Sequence, residues 1–152
     1  VAIAAGMAQL ARVAGWRSGW TLRQPILWVL HAGVAALGLG YVLIGLAALG
    51  IGSEVAALHV LGIGAVGGMT MAVMSRATLG HGGLPLVAPR SVALAYAMIF
   101  AATAARWAGS ALGIAGYYPG VLIAGALWVV AFTLYTAGLW HAFWGARPGG
   151  RG

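Results

Sequence analysis

The chain has no cysteine, no lysine and a single acidic residue, Glu54, among 152 residues. Without cysteine there is no disulfide, no thiolate metal site and no redox thiol. With one acid, neither paired carboxylates nor a Ser/His/acid triad can be assembled, and Walker-type phosphate loops are absent, which disfavours hydrolytic and nucleotide-driven chemistry. Charge is scarce altogether. Charged residues make up 6% of the sequence, against about 25% in an ordinary soluble domain. Hydrophobic residues make up 62%, and the mean hydropathy is +0.98. Such a chain cannot cover itself with polar surface, so lipid must be its solvent.

What is present is arginine, glycine and long uncharged runs. Eight arginines give a net charge of +7. They are scattered between apolar runs rather than gathered on a polar face, which argues for topology determinants and against nucleic-acid binding. The first apolar run, VAIAAGMAQLA, reaches Arg12 too soon to cross a bilayer, which takes roughly 20 residues. No cleavable signal-peptide pattern opens the chain. Val1 is expected inside a helix whose beginning is missing, in the C-terminal piece of a longer protein. Four full spans are expected after this partial helix (1–14), at about 25–49, 55–76, 90–112 and 120–144. Gln24-Pro25 opens the first full span. The Gly82-Gly83-Leu84-Pro85 and Ala88-Pro89 breakers precede the third, and Tyr117-Tyr118-Pro119 precedes the fourth. The runs are too long and do not alternate as strands of a membrane barrel do. The expected fold is all-α, a single polytopic helical bundle.

Loop charge sets the orientation. Arg12, Arg17 and Arg23 share one connection, Arg76 and Arg90 border another, and Arg147 and Arg151 lie in the tail. The intervening connections carry none, so the positive-inside rule places the tail and the His81 loop in the cytoplasm. Trp16, Trp20, Trp28, Trp140 and Trp144 form an inner aromatic belt, and Trp107, Tyr117 and Tyr118 an outer one. Two stripes of small residues follow the 100° helical period: His31, Gly38, Val42, Gly45, and Ala102, Arg106, Gly109, Gly113. Such stripes let helix backbones approach closely in lipid.

The most informative stretch is HVLGIGAVGGMTMAVMSRATLGH, from His59 to His81. Its Gly62-Ile63-Gly64-Ala65-Val66-Gly67 matches a dinucleotide fingerprint, but the strand before it and the acid after it are missing. A packing face that includes Gly64 and Gly68 is the better reading. Arg106 lies deep in its span, where a charge costs roughly 2.5–3.5 kcal/mol. It either faces a partner, such as Glu54 or an acidic cofactor group at the depth of His59, or snorkels about 9 Å to the outer headgroups. His31 and His59 lie one to two turns inside opposite ends of their spans, some 20 Å apart along the membrane normal. Each is either a neutral histidine satisfied by a backbone carbonyl or a ligand of haem or copper, but the two are poorly placed to share one ion. Met69, Met71 and Met74 suit copper(I) or ordinary packing. His81, in a glycine-rich turn, and His141 sit at the inner interface.

HVLGIGAVGGMTMAVMSRATLGHGG, preceded by PILWVLHAGVAALGLG, resembles the C-terminal part of the NnrS family. These are multispan bacterial inner-membrane proteins described as containing haem and copper and linked to nitric oxide tolerance. The likeness is densest at His59, Gly67, Met69, Thr70, Met74, Arg76, Leu79, Gly80 and His81, and Leu30-His31 also fits. A Trp-His-x-x-His-Glu-Met-like motif of the family's N-terminal portion has no counterpart here. The resemblance implies His31, His59, His81, Arg76 and Arg106 as cofactor-contacting candidates. It implies His31, His59, His81 and Met74 as candidate metal ligands. Its partners would be the bilayer, the missing N-terminal spans and a small ligand such as nitric oxide. The competing reading is half of a transporter or channel, with a polar path lined by intramembrane His and Arg.

Overall fold

Helices begin in this chain where proline or a hydroxyl presets the backbone, and turn where glycine permits it. The computed structural model describes residues 1–16 and 18–145; Arg17, Arg147, Arg151 and the side chain of Trp20 lie outside the described residues. Among the described residues, besides the single turn Ser18–Thr21, there are five helices: α1 (Ala2–Ala14), α2 (Pro25–Ala47), α3 (Glu54–His81), α4 (Arg90–Ala111) and α5 (Ile114–Trp144). The last four are long and apolar enough to cross a membrane, and α1 is the short helix expected before them.

Pro25 occupies the first turn of α2, after an extended Gln24, because its fixed φ suits that position and its missing N–H is not needed there. Ser53 caps α3: its Oγ accepts from the Ala56 N–H at 3.3 Å. Pro89 precedes α4 in the same way that Gln24 precedes α2. Two boundaries differ from the sequence expectation. α3 runs on past Arg76 to His81, so His81 ends a helix rather than sitting in a turn. α5 starts at Ile114 rather than near Gly120, with Pro119 inside it. Gly113, at φ 70°, turns the chain so tightly that no loop is left between α4 and α5. Pro119 has no N–H to give to the Ala115 carbonyl, but it sits in the second turn of α5, so the missing bond falls near the helix start.

Inside α3, Val60–Gly67 is a π-helix. Its backbone bonds run i→i+5, so each turn takes in an extra residue. The segment is built largely from small residues, Gly62, Gly64, Ala65 and Gly67.

Small residues carry the packing. The expected stripe on α2 faces α1. A Cβ at Gly38 would lie 3.0 Å from the Gly6 carbonyl oxygen, and one at Gly45 would lie 3.0 Å from the Ile3 nitrogen. His31, on the same stripe, meets the Trp16 ring edge-on at 4.8 Å. A second stripe, Gly33 and Gly40, seats Met69 and Leu61 of α3. An equally close approach joins α4 to α5, where Gly109 and Gly120 stack backbone on backbone. The core is filled from four helices by Ile26, Val29, Met71, Tyr96, Ile99 and Leu139, among others.

Gly38→Leu should push α1 off α2, because the new side chain meets Leu10 and a backbone carbonyl that cannot move aside. The expected loss is about 1–3 kcal/mol, the range for overpacking. Thermal unfolding in detergent checks it; a midpoint equal to that of the parent would sink the prediction.

Candidate functional site

Arg106 is 8% exposed and faces protein. Its Nη1 donates to Ser110 Oγ at 2.8 Å, one turn along α4. Its guanidinium lies over the Tyr117 ring, 4.7 Å from the centroid. The early start of α5 is what brings Tyr117 there: a loop over residues 113–120 would not hold the ring against α4. Among the described residues the charge is met by a hydroxyl and an aromatic face, both toward the C-terminal end of α4. A cation–π contact is worth about 0.5–2 kcal/mol, rising as it is desolvated, so Tyr117, 41% exposed, offsets part of the burial penalty.

The two intramembrane histidines share one local geometry. His31 Nδ1 lies 3.0 Å from the Leu27 carbonyl oxygen. His59 Nδ1 lies 2.6 Å from the Val55 carbonyl oxygen. A carbonyl can only accept, so Nδ1 must carry the hydrogen. In the neutral imidazole the lone pair is then on Nε2. This is the tautomer found in metal-bound histidines, where a second partner at the far nitrogen fixes the ring. Both half-buried rings are held this way by a residue four positions back on their own helix.

The structure does not gather the candidate ligands. His31 is on α2, His59 near the start of α3 and His81 exposed at its end. Among the described residues, no three His or acidic side chains stand close enough to hold a metal ion. The methionines diverge: Met71 is buried, Met69 packs on Gly33, and Met74 is 44% exposed on the outside of the bundle. Arg76 is half-buried toward the C-terminal end of α3, and His141 is exposed. An apolar cavity of about 600 Å³ opens between α1, α2, α3 and α4, lined by Ala32, Ala36, Leu39, Val60, Phe100 and Trp107. Ala32 follows His31 and Val60 follows His59, so the helices that carry both histidines also wall the cavity.

Sequence reasoning missed one cluster. Ser75 and Thr78 of α3, Tyr96 of α4 and Tyr135 of α5 converge inside the bundle. The only signal in the sequence was hydroxyls at i and i+3 of one helix and a tyrosine well inside each of two apolar runs.

The packing face expected at Gly64 and Gly68 is present. A Cβ at Gly64 would meet Thr103 and Ala36, and one at Gly68 would meet Phe100. No nucleotide loop is formed, because this stretch is helical throughout. The comparisons with curated proteins and with solved structures gave no match. The family model described as NnrS protein matches residues 1–147, nearly the whole chain. The chain carries that family's sequence pattern on four membrane-length helices, and it belongs to the NnrS family.

Proposed function

We propose that this protein is a multispan inner-membrane protein, with its C-terminus in the cytoplasm, that binds haem or copper and contributes to nitric oxide tolerance. The observation that carries this reading is the family match over residues 1–147; His31 and His59 add an Nε2 that their backbone bonds leave available. Within a helix only Nδ1 reaches the carbonyl four residues back, so the bond satisfies the ring whether or not it ligates, and it leaves the Nε2 lone pair unused. Here both rings keep Nε2, the ligand nitrogen, free of the backbone bond. His31 and His59 would each hold a separate centre through Nε2, not a joint site for one ion. His81, Arg76 and Met74 fit less well, being spread over the inner end of α3 and partly or largely exposed. A bound haem iron or copper would supply an open coordination position for a diatomic ligand such as nitric oxide. The apolar cavity is walled by the residues that follow the two histidines, not by their rings, and it suits a neutral gas. The transporter reading has less support, because Arg106 is closed over by Tyr117 instead of lining an open path.

The test is the visible spectrum and metal content of the full-length protein purified from membranes. A Soret band or stoichiometric copper is expected. His31→Ala and His59→Ala should each lower retained haem or copper about tenfold or more, the scale of losing metal-site support. His141→Ala, at an exposed position, should leave it unchanged. A full-length protein with neither chromophore nor copper would overturn the proposal.

A further inference from the structure

The buried hydroxyl cluster is chemically incomplete. Tyr96 is 0% exposed, Ser75 0% and Tyr135 4%. Ser75 Oγ donates its hydrogen to the Met71 carbonyl at 2.7 Å, which leaves its lone pairs as acceptors. The hydroxyls of Tyr96 and Tyr135 have no hydrogen-bond partner among the described residues. Ser75 neighbours both phenols, and Thr78 neighbours Tyr135, but none meets hydrogen-bond geometry with them. Two phenol donors are thus left over in lipid, where no solvent can satisfy them.

The surroundings say what completes the cluster. Trp28 packs edge-on against Tyr96 at 6.1 Å, and Phe132 against Tyr135 at 6.4 Å, which walls the site off from lipid. Thr78 is only half-buried, and Ser75 lies six residues from the end of α3, about 9 Å from the inner interface at 1.5 Å per residue. None of the four residues carries a charge, so an ion would be left without compensation. A small neutral molecule able both to accept and to donate would complete the cluster. Water has two lone pairs and two hydrogens. It would accept from Tyr96 and Tyr135 and donate to Ser75 and Thr78, using every valence.

We propose that Ser75, Thr78, Tyr96 and Tyr135 form a binding site for ordered water in the inner third of the bundle, entered past Thr78 from the inner interface. The site extends hydrogen bonding from the membrane surface to Tyr96, and with it a path along which a proton can reach the interior. It stands independently of any haem or copper.

Water-edited solid-state NMR on the full-length protein in liposomes tests this, with tyrosine and isoleucine labelled with 13C. Tyr96 and Tyr135 ring carbons, assigned through Tyr96→Phe and Tyr135→Phe, should take up water polarisation several-fold faster than Ile99, which is equally buried. In each single variant the remaining tyrosine should lose part of that rate. Build-up no faster than that of Ile99 would overturn the proposal. So would a rise in melting temperature for both single variants, because removing a dry, unpaired donor stabilises whereas removing one leg of a water bridge does not.

Discussion

Gly109→Leu and Gly120→Leu should each abolish the α4–α5 hairpin. A Cβ built on Gly109 falls 2.7 Å from the Gly120 Cα, and one on Gly120 falls 2.6 Å from the Gly109 Cα. The obstacle is backbone on both sides, so no rotamer change relieves it. Overpacking of a core that can shift costs about 1–3 kcal/mol; here the two longest-paired helices must separate, and the loss should reach about 3 kcal/mol or more, the upper end of that range. Even alanine is too large at either position. Gly62→Ala and Gly125→Ala provide the contrast, because nothing lies within 4 Å of a Cβ there. Both should be neutral or slightly stabilising, given the better helix propensity of alanine. Fluorescence-detected size exclusion after heating separates the two sets. Folded Gly109→Leu protein with the parent's melting temperature would mean that α4 and α5 do not touch at this point.

Arg106 and Tyr117 should be energetically coupled. Burying the guanidinium costs roughly 2.5–3.5 kcal/mol. The ring face returns about 0.5–2 kcal/mol, and a hydrogen bond from a charged donor about 1.5–3 kcal/mol. The opposing contributions nearly cancel, so each half of the pair depends on the other. Arg106→Ala should destabilise by about 1–2 kcal/mol, through the lost contacts and the packing of the arginine stem. Tyr117→Leu should cost at least as much, because it leaves the cation buried with Ser110 alone. Arg106→Lys should fall between, keeping charge over the ring but losing the planar fork. In a double-mutant cycle of Arg106→Ala with Tyr117→Leu, the coupling energy should be about 1–2 kcal/mol. A coupling near zero would show that the guanidinium turns away from the ring in the bilayer.

Much of this architecture could be read from the chain because lipid imposes few choices. Pro25 and Pro89 mark helix starts by the hydrogen they lack, and uncharged runs mark spans by length. Gly38 and Gly45 mark a helix contact because close approach in lipid needs small residues. Arg106 could be expected to face inward for the same kind of reason, since a permanent charge has to be met. What could not be read depends on neighbours distant in sequence. Pro119 looks like a breaker until Gly113 is seen to absorb the turn. Tyr117 looks like an interface aromatic until α5 begins early enough to place it over Arg106. Ser75, Thr78, Tyr96 and Tyr135 sit on three helices, and no single-helix periodicity relates them. The π-helix leaves no trace in hydrophobic period, because the stretch is apolar all round.

That wider coil has a consequence for how α3 is to be interpreted. Helical-wheel geometry assumes a constant angular step, and the eight residues Val60–Gly67 break it. Positions before the coil and positions after it belong to two different angular frames. His59 and Met71 therefore cannot be placed on a shared face by counting, and neither can His59 and His81. An inserted or deleted residue within the coil would re-phase one half of α3 against the other while leaving both ends anchored. The glycine-rich middle of this helix is thus a vernier: it sets which side chains of the C-terminal half point toward α2 and which toward α5.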